Sequence, residues 1–282
     1  MGRIQTALTK VRREAAQAKA EAGNGGAVAQ AAKERRSADR RDQVEVVRRS
    51  DLFKDARAVA LEPRTLQANR IRGIQSSDPG AAAYKMLRTR VLHRMRSHGW
   101  HKLTVTSPRA HAGKTLTSIN LAISLAHEPN QDVILVDLDL RNPRVATYLG
   151  LDPEFGLADH LTRDVPIEKV LLKPNIPRLY VIPSTEPLQN SSELLASAQM
   201  SVFTQTLVST SPSTIVIFDL PPLLEADDML TFMPQVDAVL FVVAQRETRR
   251  GDLERSNELF KDLNLLGTVL NKSDDEAPAD YY

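Results

Sequence analysis

The sequence predicts an α/β fold, a mostly parallel sheet with helices on both faces. Three observations carry that expectation. Six short segments rich in β-branched residues are apolar nearly throughout, as strands buried on both faces must be. Helical stretches separate them, and this alternation is how parallel crossovers are built. Apolar residues make up 42% of the 282, enough for a substantial core.

Taken in order, Ile4, Leu8, Val11 and Ala15 share one helical face, with Lys10, Arg12 and Arg13 off it. This reads as a short amphipathic helix. From about Glu21 to Ser50 the chain turns to Ala, Gly, Gln and paired arginines without a steady apolar period, as a flexible linker does. Residues 1–50 are therefore set apart as helix plus basic linker. The domain proper is expected over residues 51–271. Within it a helix over Ala81–Arg96 precedes the strand LTVTS. Further strands are VILVD (Val133–Asp137), RLYVIP (Arg178–Pro183), TIVIFD (Thr214–Asp219), DAVLFVVA (Asp237–Ala244) and LLGTVLN (Leu265–Asn271). Helices are expected over Lys114–His127, Ser191–Ser209 and Arg249–Leu263. Residues 272–282, KSDDEAPADYY, are polar and acidic with a proline, the composition of a disordered tail.

Net charge is +2, unevenly spread. Residues 1–50 carry twelve Lys/Arg against six Asp/Glu, while the rest carries 25 against 29. A basic arm on a slightly acidic body suits an anionic partner: nucleic acid, an acidic protein surface or the inner membrane leaflet. No nucleic-acid recognition module appears, so nucleic acid is not expected. The absence of cysteine excludes disulfides and thiolate metal sites. No apolar run approaches a membrane span or a signal-peptide core, which leads us to expect a cytosolic protein.

Three motifs carry chemistry. SPRAHAGKT, Ser107 to Thr115, follows a strand and opens a helix, so backbone amides at the helix start can point at phosphate oxygens. In such a P-loop Lys114 reaches the β- and γ-phosphates and Thr115 holds magnesium. VILVDLDLRNP sets Asp137 and Asp139 past a buried strand, with Arg141 two residues on. An extended chain would put both carboxylates on one side, about 7 Å apart. Paired carboxylates there suit magnesium and the activation of a hydroxyl. TIVIFDLPP ends a second buried strand in Asp219. Any one of these acids could equally be a helix N-cap or a solvated loop charge. Three in this order behind Gly-Lys-Thr point to a P-loop NTPase that binds nucleotide.

The three motifs, SPRAHAGKT, DLDLRNP and IVIFDLPP, resemble the Walker A, Walker A′ and Walker B elements of the bacterial tyrosine kinases of capsule and exopolysaccharide biosynthesis. The resemblance runs from about Ala81 to Asn271 and takes in YKMLRT, NSSELL and DAVLFVVAQRETRRGDL. MGRIQTALTKV is similar to the N-terminal helix of stand-alone cytoplasmic members. The resemblance implies an ATP- and Mg2+-dependent tyrosine autokinase. ATP would lie on Ala110, His111, Ala112, Gly113, Lys114, Thr115 and Leu116, with Arg141 and with Asn271 at the adenine. Catalysis would fall to Lys114, Asp137 and Asp139, with Asp137 assisting deprotonation of the acceptor tyrosine. Thr115, Asp137, Asp139 and Asp219 would support the metal. Acceptors in a neighbouring subunit would be Tyr281 and Tyr282, two of the chain's five tyrosines. The implied partner is a membrane polysaccharide co-polymerase with an activating cytoplasmic segment. The kinase would form a homo-oligomer, held peripherally at the inner face of the membrane through that partner. The basic N-terminus also suits contact with anionic lipid.

Departures from the family pattern are specific. Ala110, His111 and Ala112 replace the usual Pro-Gly-acidic lead-in, which removes freedom for positive φ. His111 either donates to phosphate or tolerates a left-handed turn, which His visits more than most residues. Ala82, Lys85 and Arg88 stand at the assembly motif, which lacks its Glu. Two other readings stay open. One is a septum- or partition-type switch ATPase, with Arg109 at the signature-lysine position. The other is a weakly ATP-binding scaffold.

Overall fold

A computed structural model describes residues 52–72, 79–261 and 263–274. The predicted N-terminal helix and linker, and Tyr281 and Tyr282, lie outside the described residues. The chain opens with α1 (Leu52–Asp55), β1 (Arg57–Val59), α2 (Pro63–Ala68), α3 (Pro79–His98) and β2 (Lys102–Thr106). Next come α4 (Lys114–Ala126), β3 (Val133–Asp137), α5 (Val145–Leu149), α6 (Leu157–Arg163) and α7 (Ile167–Val170). β4 (Leu172–Pro174), β5 (Leu179–Ile182), α8 (Ser191–Leu195), α9 (Ala198–Ser209) and β6 (Ile215–Asp219) follow. α10 (Asp228–Phe232), a 3-10 turn (Met233–Gln235), β7 (Ala238–Ala244), α11 (Arg250–Leu259) and β8 (Leu265–Asn271) end the domain.

The strands form one eight-stranded sheet in the order β1-β4-β5-β3-β6-β2-β7-β8. Every pairing is parallel except β4 with β5, which is antiparallel at Leu172 and Val181. β1 and β4, three residues each, were not expected from sequence. RAV and LKP are too short and too charged to show a strand period, and the sheet edge supplies the pairing they lack.

Alternation along the central strands divides the core between the two faces. Val133, Leu135, Ile215 and Ile217 join Leu103 and Val105 under α3 and α4. Ile134, Val136, Val216 and Phe218 pack with Phe203 of α9 and Phe232 of α10 on the other face. α4 is buried along almost its whole length, which explains why KTLTSINLAISLA carries no charge after Lys114. Two of its polar side chains reach neighbouring backbone: Ser124 Oγ donates to Tyr84 O at 3.2 Å, and Asn120 Oδ1 accepts the Arg72 N–H at 2.6 Å.

Two predicted helices are shorter than expected. The span Ser191–Ser209 breaks, because Ser197 leaves helical geometry to accept the Met200 N–H at 3.1 Å and starts α9 as its N-cap. The Arg249–Leu263 helix stops at Leu259, where Phe260 turns edge-on to Phe241 with ring centroids 4.8 Å apart.

Candidate active site at the ends of β2, β3 and β6

β6 sits between β2 and β3, so the loop after β2 and the acids ending β3 and β6 converge at one sheet edge. In register, Asp219 lies beside Val105 of β2 and beside Asp137 of β3. Ligands of open α/β sheets bind at this kind of place, past the carboxyl ends of strands.

The loop itself takes two left-handed residues, His111 (φ 66°) and Gly113 (φ 90°). His111 thus adopts the left-handed turn that the glycine-poor lead-in requires. Gly113 must be glycine for a second reason: a Cβ there would lie 2.1 Å from Asn271 Nδ2. Asn271, at the end of β8, donates from that Nδ2 to Ala112 O at 2.9 Å and so braces the loop. The lead-in is tied from elsewhere. Ser107 O and Pro108 O accept N–H groups from Leu223 and Leu224 at 2.8 and 3.2 Å. Arg109 Nε and Nη2 each donate to one oxygen of Asp252 at 3.0 Å, and Ala110 N donates to Glu225 Oε2 at 3.2 Å.

Behind the loop, Lys114 Nζ meets Asp139 Oδ2 at 2.6 Å and stands 3.8 Å from Asp219 Oδ2. Thr115 Oγ1 donates to Asp219 Oδ2 at 2.6 Å, and Ser118 Oγ donates to its Oδ1 at 3.0 Å. Asp137 Oδ2 accepts the N–H groups of Arg144 and Val145 at 3.0 and 2.9 Å. Its carboxylate therefore also caps α5, the role open to any single strand-end acid. β3 ends at Asp137, Leu138 N still donates to Asp219 O of β6 at 2.9 Å, and Asp139 N donates back to Asp137 Oδ1 at 3.3 Å.

Three buried carboxylates thus face one buried ammonium. Burial, then the charge of Asp219, pushes the Asp137 carboxyl up to about 8, against the N–H of Val145 and the charge of Lys114. Burial also raises Asp219, against Lys114 and the hydroxyl of Thr115. For Lys114, burial lowers the pKa, but Asp219 and Asp139 outweigh it and leave the ammonium above the ordinary lysine value. A site short of positive charge and lined by oxygen fits a divalent cation. Among the described residues no three His, Asp or Glu form a metal cage by themselves. Magnesium characteristically takes one or two carboxylates together with substrate phosphates and water, so the donor set of Thr115, Asp219 and Asp139 suits it.

The AAA-domain family AAA_31 matches residues 102–266. The tyrosine-protein kinase CpsD of Streptococcus pneumoniae serotype 4 is 30% identical over 175 residues, 61% of this chain and 76% of that protein. This chain belongs to the bacterial tyrosine-protein kinases. The family's tyrosine-protein kinase ptk of Acinetobacter johnsonii is 27% identical over 198 residues, 70% of this chain and 27% of its own length. The chain spans about a quarter of the length of the first curated relatives it matches. The kinase domain of Escherichia coli tyrosine kinase ETK superposes with a TM-score of 0.62 at 25% identity, covering 71% of this chain and 80% of that one. The mostly parallel sheet predicted from sequence is the architecture of this family.

Of the residues expected to form the family's site, Ala110 to Thr115, Asp137, Asp139 and Asp219 come together, with Leu116 half-buried in the first turn of α4. Asn271 reaches the loop. Arg141 is turned elsewhere: Nε donates to Ser191 Oγ at 3.0 Å, and Nη2 to Asp227 and Asp228 at 2.9 and 3.0 Å. At the assembly motif Ala82 and Lys85 are exposed, while Arg88 pairs with Glu128 of the same chain at 2.9 Å. Sequence reading missed Ser118, Glu225 and Asp252. Ser118 was findable, one helical turn after Lys114 on the face toward the β6 acid. Glu225 and Asp252 meet the loop only through the fold.

Proposed function

We propose that this chain is an ATP-dependent protein-tyrosine kinase domain that phosphorylates Tyr281 and Tyr282 of a neighbouring copy. In this reading it regulates polymerisation or export of a capsule or exopolysaccharide. The observation that carries the reading is the pairing of Asp137 with Asp219 at adjacent strand ends, opposite Lys114 and Thr115. Lys114 would leave Asp139 for the β- and γ-phosphates, and the loop amides from Ala110 to Leu116 would cradle them, with Asn271 at the adenine side. Thr115, Asp219 and Asp139 would hold Mg2+, which supplies neutralisation of phosphate charge when bound. The phenol oxygen of the acceptor attacks the γ-phosphorus, ADP leaves, and the phenol proton passes to Asp137. Burial and the charge of Asp219 hold the Asp137 carboxyl up at about 8 in the nucleotide-free site, and the positive charge of bound Mg2+ would draw it down so that the ionised carboxylate can take the proton around neutral pH. Catalysis is otherwise positioning and charge stabilisation.

The proposed partner is a membrane polysaccharide co-polymerase whose cytoplasmic segment activates the kinase. The proposed location is the inner face of the cytoplasmic membrane, with the basic N-terminal arm touching partner or anionic lipid. No described helix is long and apolar enough to cross a membrane. The switch-ATPase reading gains nothing from Arg109, whose guanidinium is bound within its own chain. Purified protein incubated with ATP and magnesium, with and without the partner's segment, tests the proposal by mass spectrometry. Phosphotyrosine on Tyr281 or Tyr282, lost in Lys114→Met, is the expected result. ATP hydrolysis without phosphotyrosine would instead favour the switch, and neither signal the scaffold.

A further inference from the structure

The lead-in Pro108–Ala112 contains no glycine, yet His111 must hold a left-handed conformation. Arg109, Ala110 and His111 are exposed, so packing does not hold them. A loop of this kind needs an outside anchor if its amides are to stay aimed at phosphate. Arg109 provides the strongest candidate. Its two parallel bonds to Asp252, both 3.0 Å, fix orientation as well as distance. Asp252 is only 2% exposed, and α11 holds it in place: its N–H donates to Arg249 O, and its carbonyl accepts from Ser256 Oγ at 2.7 Å. Glu225 supports the same bridge, 3.8 Å from Arg109 Nη1 while accepting the Ala110 N–H. The anchor therefore joins the loop to the first turn of a helix 143 residues away in sequence.

We propose that Arg109 is a positioning residue for nucleotide binding: clamped on Asp252, it holds the phosphate loop in its binding-competent shape. The proposal rests on the nucleotide-binding reading of that loop and extends it. Cutting the clamp lowers the competent fraction, and apparent affinity falls by that fraction for every nucleotide that uses the loop. Turnover at saturation does not change, because the bound loop has the same shape.

The test measures binding of a fluorescent ADP analogue and of ATP to the full chain, with phosphotransfer kinetics beside it. Arg109→Met and Asp252→Asn should each weaken ADP and ATP alike by roughly tenfold or more, with kcat within about threefold. Arg109→Lys, which keeps the charge but one prong only, should fall between. Arg255→Ala removes the other partner of Asp252, at 2.6 Å, and should leave affinity within about twofold because the clamp remains. The swapped pair, Arg109→Asp with Asp252→Arg, should recover most of the loss and keeps the test usable if either single variant unfolds. Loss of ATP but not ADP affinity in Arg109→Met, with Asp252→Asn unaffected, would overturn the proposal in favour of direct γ-phosphate contact. A folded swapped pair no better than the single variants overturns it as well. Wild-type protein that binds no nucleotide defeats the underlying reading itself, a result distinct from variants that match a binding-competent wild type.

Discussion

Ser107–Ala112 and Gly113–Thr115 belong to one loop but are held by different physics. In the first half, Arg109, Ala110 and His111 are exposed, and the loop is strapped from outside: Asp252 holds Arg109, Glu225 holds Ala110, and the N–H groups of Leu223 and Leu224 hold the carbonyls of Ser107 and Pro108. In the second, Lys114 and Thr115 are buried and held from inside by Asp139 and Asp219. The outer half depends on geometry that distant residues impose. The inner half depends on charge balance, and that balance is incomplete with one ammonium among three carboxylates.

The largest break falls on the inner half. Lys114→Met removes the only buried cation among the described residues and leaves its carboxylates unpaired, a loss of about 3–5 kcal/mol in denaturant unfolding at pH 8 without magnesium. The loss should shrink at pH 5, where protonated carboxyls no longer need a partner. Gly113→Ala comes next, at the joint between the halves. The new Cβ collides with Asn271 Nδ2 and the left-handed backbone adds about 1–2 kcal/mol. Nucleotide binding should be lost in titration calorimetry, and adding Asn271→Ala should recover part of it by opening the space.

Asp137→Asn sharpens the electrostatic side. The folded pKa of Asp137 is raised, so the native state holds a proton that the unfolded chain gives up near the ordinary aspartate value of 3.8. Its contribution to stability is full below that value and is lost as pH rises toward about 8. Magnesium-free wild type should therefore lose up to about 1.4 kcal/mol per pH unit from this group across that window. Asp137→Asn should flatten the profile while keeping the acceptor oxygen that caps α5, and phosphotransfer should collapse. The smallest effect is expected in the outer half. His111→Gly relieves the left-handed backbone and should change stability by no more than about 1 kcal/mol, read as a small shift in thermal midpoint. A large loss there would show that the His111 ring does work the straps do not.

Legibility in the sequence followed the range of the interaction. Val133–Asp137 and Leu265–Asn271 were read to the residue, because apolar runs bounded by polar residues announce strands locally, although the first is fully buried and the second is an edge strand with Leu265 and Leu270 exposed. Lys114, Thr115 and Asp219 were legible for the same reason: the first two open a helix and the third ends a strand, at junctions whose chemistry is set by immediate neighbours. Arg141 was placed by motif at the nucleotide, but in the fold Asp228 and Ser191 compete for its guanidinium. Nothing local to Asp252 or Asn271 marks them as loop braces, since their partners lie 143 and 159 residues away.

The sequence by itself determined that a strand, a Gly-Lys-Thr loop and two strand-end acids would stand in an α/β sheet. Periodicity and turn chemistry are short-range and survive reading in one dimension. Tertiary structure alone decided how the charges pair, because β6 inserts between β2 and β3 and lays Asp219 against Asp137. It also decided how a lead-in without glycine keeps its shape, through the sheet order that carries α11 and the end of β8 to the loop.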